Sequence, residues 1–119
     1  MTTDRKALTR EYKEATRPMG VGIVRNTANG RALVVSGREL PALLNRHRAQ
    51  LQLNAHSNRS LQDDWNRLGP TNFEFAVLDT LTPADVTDYD PTDDLRALEA
   101  LWLEKLGPFE PAGYHRRPK

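Results

Sequence analysis

Apolar residues along this chain fall into two rhythms, and the switches between them mark out the elements. Residues 4–16 carry Leu8, Tyr12 and Ala15 at helical spacing behind Asp4, which can cap a first turn, so a helix is expected there, ended by Arg17-Pro18-Met19-Gly20. Two short apolar runs, Val21 to Val24 and Ala32 to Val35, flank Asn29-Gly30. That dipeptide suits a type I′ turn, whose central residues both need positive φ, so residues 21–36 read as a β-hairpin. Leu40, Leu43, Leu44, His47 and Leu51 then recur at i, i+3, i+4 and i+7, predicting an amphipathic helix over 39–53. Pro41 fits its first turn, and Arg46, Arg48 and Gln50 form a basic flank off the stripe. A second helix over 59–68 aligns Leu61, Trp65 and Leu68, with Ser60 as the expected cap and Asp63 three residues on.

Period two returns over 72–78, where Phe73, Phe75 and Val77 share one face and Glu74, Ala76 and Leu78 the other. Thr82-Pro83-Ala84-Asp85 starts a short helical turn. Asp90-Pro91-Thr92-Asp93, with Asp as the cap and Pro in the first position, opens a last helix over 92–106. The Pro- and Gly-rich stretch from Gly107 to Lys119 reads as irregular. The order predicts an α+β fold: a small three-stranded, largely antiparallel sheet flanked by helices, with an extra N-terminal helix. Residues 1–18 are then a helical extension, 19–115 the domain and 116–119 a basic tail.

At 119 residues the chain is one domain's worth, and it contains no cysteine, which excludes disulfides, zinc–thiolate sites and thiol catalysis. No run approaches the ~18 apolar residues of a membrane span. Met1 to Lys6 lead into a polar segment without the apolar core of a secretory signal, so a cytoplasmic protein with no membrane partner is expected. The net charge of +1 hides an asymmetry: residues 1–48 hold 10 Lys/Arg against 4 Asp/Glu, and residues 79–110 hold 2 against 9. A basic half beside an acidic segment suits a phosphate backbone near a metal; it equally suits a solvated surface with internal ion pairs.

One carboxylate is out of place. Leu95, Leu98, Trp102 and Leu106 form the apolar stripe of the last helix, and Glu99, four after Leu95 and three before Trp102, falls within it. A carboxylate facing a core costs several kcal/mol unless it is compensated. An arginine from a neighbouring helix would serve, as would a place at the stripe's edge from which the carboxylate snorkels to water, and so would a divalent cation, since Mg²⁺ is usually held by one or two carboxylates plus waters.

Taken together, several segments resemble the GIY-YIG endonuclease domain, in that family's order: the hairpin with its Asn26-Thr27-Ala28-Asn29-Gly30-Arg31 turn, Asn45-Arg46-His47, His56-Ser57-Asn58 and Leu61-Gln62, then Asn72 to Leu78, Leu98 to Leu106, and Gly113-Tyr114. The resemblance covers roughly residues 19–115. It implies phosphodiester hydrolysis with one Mg²⁺ or Mn²⁺ on a last-helix glutamate, a hairpin tyrosine assisting the attacking hydroxide, and an arginine over the pentavalent phosphate. Glu99 matches the metal-binding glutamate, and His47 and His56 match histidines found in one branch of the family. Gly22 and Leu33 stand where the family has its two tyrosines, Leu43 where it has its arginine, Val35 where it has its signature glycine, and His115 where it has an asparagine. Ser36 is retained. The chain therefore reads as a nuclease-like DNA-binding domain with weak or lost activity. Arg25, Arg31, Arg38, Arg46 and Arg48 are the candidate phosphate contacts, made non-specifically or by recognising DNA structure. The alternatives are an endonuclease rebuilt around Glu99 with Arg46, His47, His56 and His115 as stand-ins, and a protein-interaction module.

Overall fold

The computed structural model describes residues 18–82 and 88–116. The helix expected over 4–16, the turn expected after Thr82 and the end of the basic tail lie outside the described residues. Strands β1 (Met19–Asn26), β2 (Ala32–Gly37) and β3 (Phe73–Leu81) form one antiparallel sheet in the order β2-β1-β3. Helices α1 (Leu40–Gln52) and α2 (Arg59–Leu68) separate β2 from a short 3-10 turn at Pro70–Asn72, and α3 (Thr92–Leu106) follows β3. This is the expected α+β architecture.

β1 is the central strand because Val21, Ile23 and Val24 are apolar toward both faces, and all three are buried. Alternation gives the sheet two differently used sides. Val24 of β1, with Leu33 and Val35 of β2, joins Leu40, Leu44 and Leu51 of α1 and Leu61 and Trp65 of α2 in the main core. Residues of the opposite phase, Val21 and Ser36, lie beneath α3: Ser36 bonds to Glu99, and Trp102 Nε1 donates to Asp79 Oδ2 at 3.2 Å, with Asp79 opposite Val21. Helix α1 thus covers one face and α3 the other.

Several local expectations are corrected. The hairpin turn is a four-residue loop, 27–30, in which only Gly30 (φ +80°) has positive φ, so no type I′ turn forms. The asparagine side chains decide this: Asn26 Oδ1 accepts from Ala28 N and Asn29 Oδ1 from Arg31 N, both at 2.9 Å, holding a wider loop. Helix α2 is capped by Asn58, whose side chain accepts from Leu61 N, and not by Ser60, whose hydroxyl is taken by Arg31. Helix α3 spans Thr92–Leu106 as expected, but Pro91 rather than Asp90 occupies the cap position, although Asp90 Oδ1 still accepts from Thr92 N at 3.0 Å. β3 runs past 78 to Leu81 through a bulge, since Val21 pairs with Asp79 but Gly22 with Val77. Val77 is on the edge strand and stays 48% exposed.

Residues 107–116 of the stretch expected to be irregular carry no helix or strand but are tied by defined hydrogen bonds. Glu110 N donates to His115 O at 2.7 Å and His115 N to Pro108 O at 3.0 Å, closing residues 108–115 into a loop. Tyr114 N donates to Ala32 O and Val34 N to His115 Nε2, so the loop covers the outer edge of β2.

Candidate active site

The three positions where the family resemblance would require catalytic groups are packed with hydrocarbon. Leu33 is 9% exposed within the main core, and Leu43 is half-buried against it. Leu43 leans on the end of β2, since a Cβ on Gly37 would meet its Cδ2 at 2.9 Å. Gly22 lies under α1, where an added Cβ would meet Leu44 Cδ2 at 3.0 Å and Leu40 Cδ1 at 3.2 Å. Neither phenol nor guanidinium stands here, and Leu40 and Leu44 fill the space over Gly22.

Glu99 is half-buried on α3. Ser36 Oγ donates to Glu99 Oε2, and no arginine pairs with this carboxylate among the described residues. The stripe around it is only partly buried: Leu95 is in the core, Leu98 and Trp102 are half-buried, and Leu106 is 40% exposed. His115 is close enough to feel Glu99. Burial pushes its imidazole below the usual histidine range, and the Glu99 charge pulls it partly back. Its Nε2 accepts from Val34 N at 2.8 Å, so the neutral ring carries its proton on Nδ1.

His47 and His56 come together where α1 meets the start of α2. His47 Nδ1 lies 2.8 Å from His56 Nε2, while His56 Nδ1 accepts from Asn58 N at 3.0 Å. The only tautomers that satisfy this chain place a proton on His56 Nε2, donated to His47, and another on His47 Nε2. Burial lowers both pKa values, and for His47 the neighbouring His56 and Arg46 lower it further. His56 N also donates to Gln62 Oε1, whose amide reaches Leu51 O, so the pair is built into the α1–α2 junction. Arg46 is exposed on α1. Of the four candidate stand-ins, His115 is the one whose interaction with Glu99 is explicit, while His47 and His56 form a pair of their own and Arg46 is exposed.

The arginines divide similarly. Arg31, expected to contact phosphate, is instead committed inward. Its Nη1 donates to Asp64 Oδ2 at 2.8 Å, its Nη2 to Ser60 Oγ and Gly113 O, and its guanidinium stacks 4.4 Å from the Tyr114 ring centre. Arg38 pairs with Asp90 on the surface, a contact of little strength. Arg48 stacks on Phe75 at 4.6 Å. Arg25 and Arg46 are exposed with no ion pair among the described residues.

Around Arg31 is a polar network absent from the sequence-based expectations. Asp64, buried on α2, accepts from Arg31, from Arg67 Nη2 at 2.8 Å and from the Tyr114 hydroxyl at 2.8 Å, and that hydroxyl accepts from Asn26 Nδ2 at 3.1 Å. Burial alone would raise the Asp64 pKa, but the Arg67 and Tyr114 hydrogen bonds and the arginine charges outweigh it and hold the carboxyl below the usual range. Burial, together with Asp64, pushes Tyr114 up to about 12.

No protein-family model matches this chain, and no curated protein matches it in sequence. Among solved structures, the catalytic domain of homing endonuclease I-TevI is similar over 84% of this chain and 99% of that domain, at a TM-score of 0.69 and 24% identity. A glutamate-to-alanine mutant of the same intron-endonuclease domain is similar over 82% and 92%, at a TM-score of 0.67 and 23% identity. The fold is thus GIY-YIG-like.

Proposed function

We propose that this is a nuclease-like DNA-binding domain in which metal-dependent strand cleavage is weak or lost. The observation that carries the reading is the hydrocarbon packing at Gly22, Leu33 and Leu43, the three positions where the resemblance calls for two phenols and a guanidinium. Losing one transition-state donor typically slows a reaction about 10²–10³-fold and losing a general base about 10²–10⁴-fold. The histidines do not fill the gap. His115 Nε2 can take a proton only by giving up Val34 N, His56 Nδ1 only by giving up Asn58 N, and His47 Nδ1 only by giving up His56.

The donor set left at the old centre still fits a hard cation. Glu99 offers a carboxylate and Ser36 a hydroxyl, which is enough for Mg²⁺ or Mn²⁺ that keeps most of its waters. When bound, such a cation supplies Lewis acidity at a phosphoryl oxygen. Glu99 would hold it, and Ser36 would orient Glu99. DNA as the partner is supported by the similarity to a homing endonuclease's catalytic domain. It is supported too by exposed guanidinium groups at Arg25, Arg46, Arg59 and Arg116 that have no ion pair among the described residues.

Nicking of supercoiled plasmid with Mg²⁺ and then Mn²⁺, beside Glu99→Ala and with a gel shift from the same reactions, tests both halves. The expected result is a salt-sensitive shift with no nicking above Glu99→Ala. Metal-dependent nicking that Glu99→Ala abolishes would establish instead a rebuilt enzyme, the reading favoured by Glu99 being held by Ser36 with His115 nearby. Absence of any shift would overturn DNA binding.

A further inference from the structure

The closed loop 108–115 places His115 and Arg116 between two hollows of opposite character. One is a polar cleft of about 320 Å³ beside the start of α2, where Ser57, Arg59 and Ser60 face Arg116 and His115. Glu110 also lines it and has partners of its own. The other is an apolar pocket of about 520 Å³ between α3 and the loop, walled by Ala100, Leu103 and Phe109, with Glu104 at its side. His115 and Arg116 line both hollows. Each is of a size that takes small ligands, roughly 300–1,000 Å³. The dividing wall is rigid: the Phe109 and His115 rings meet edge to face at 6.4 Å, and backbone bonds tie His115 to Pro108 and Glu110.

Two guanidinium groups and two hydroxyls on one side of a wall, and an aromatic ring with aliphatic side chains on the other, match the two ends of a nucleotide. Phosphate suits the cleft; a base suits the pocket, where it can lie on Phe109 and Leu103 while the Glu104 carboxylate accepts from an exocyclic amine. A base held inside a duplex cannot reach a pocket of this kind, since its faces are stacked on its neighbours. We infer that these adjoining hollows form a site for a single unpaired nucleotide in a DNA strand, with its phosphate between Arg59 and Arg116 and its base against Phe109. The inference rests on the DNA-binding reading and adds to it: the preferred ligand is DNA with a base out of the stack.

The test is fluorescence anisotropy of the full chain with a short labelled duplex and with the same duplex carrying one unpaired adenine. Tighter binding of the second by about tenfold is expected, the lower range of what one base–aromatic stack supports. Phe109→Ala should erase that preference. Because Phe109 also braces the loop, Ala100→Trp, which fills the pocket from an exposed helix position, provides an independent variant and should erase it too. Equal binding of the two duplexes by the unaltered protein would overturn the site while leaving DNA binding intact. A preference that survives both substitutions would place the recognition elsewhere and overturn it as well. Binding of neither duplex would remove the DNA-binding reading and this inference together.

Discussion

At Gly22, where an added Cβ would meet side chains at 3.0 and 3.2 Å, the tyrosine that the family resemblance calls for has no room. Gly22→Tyr must displace Leu40 and Leu44, and overpacking of this kind costs about 1–3 kcal/mol. A urea melt should show that loss, with no gain in plasmid nicking, and trimming Leu44 to Ala in the same chain should recover part of it. Asp64 is the opposite case, a charge that the interior requires. Removing one member of a buried ion pair leaves its partners unsatisfied, so Asp64→Ala should destabilise the domain by roughly 3 kcal/mol in the same melt. Both Glu99 and Asp64 were legible by one criterion. Asp64 sits three after Leu61 and four before Leu68, inside an apolar stripe just as Glu99 does. Their partners were not legible, because a serine and a tyrosine, 63 and 50 positions away, are brought to them by the tertiary fold.

The elements were largely readable wherever hydrophobic period is strong. α1, α2 and α3 lie close to their expected spans, and both hairpin strands are where the two apolar runs place them. Turns and caps were less readable, since Asn26, Asn29, Asn58 and Ser60 each have more than one backbone or side-chain partner within reach and only packing selects among them. The loop 108–115 was invisible for another reason: it has no period, and its anchor is the fully buried ring of Tyr114. Its tightest point is Gly113, where an added Cβ would lie 2.2 Å from the Pro108 carbonyl. Gly113→Ala should therefore cost about 2 kcal/mol, in the range of other overpacked substitutions. Limited proteolysis should show earlier cleavage within 108–116 than in the unaltered protein.

For the whole molecule, the three histidines make stability depend on pH in one direction. His47, His56 and His115 all have folded pKa values below the ordinary 6.5, with burial the largest cause at each. Below 6.5 the unfolded chain therefore binds more protons than the folded one, and stability rises with pH there. The contribution is complete above about pH 6.5 and is lost as pH falls from there through the folded values. The melting temperature should drop between pH 7 and pH 5, and drop less in a His47→Gln, His56→Gln double variant; an equal drop would assign the dependence to other groups. The tie between Asn26 and Tyr114 spans 88 positions, and it also has a consequence in time. The phenol that locks the first hairpin to α2 is made after every strand and helix described here. A ribosome displaying the chain only as far as Gly107 would hold an open-edged β2 and an Asp64 without its tyrosine. Stalled chains exposed to that point should be cut readily by protease, and those exposed through Arg116 should resist. The nascent domain would then stay an unfinished assembly until its last few residues emerge to close it.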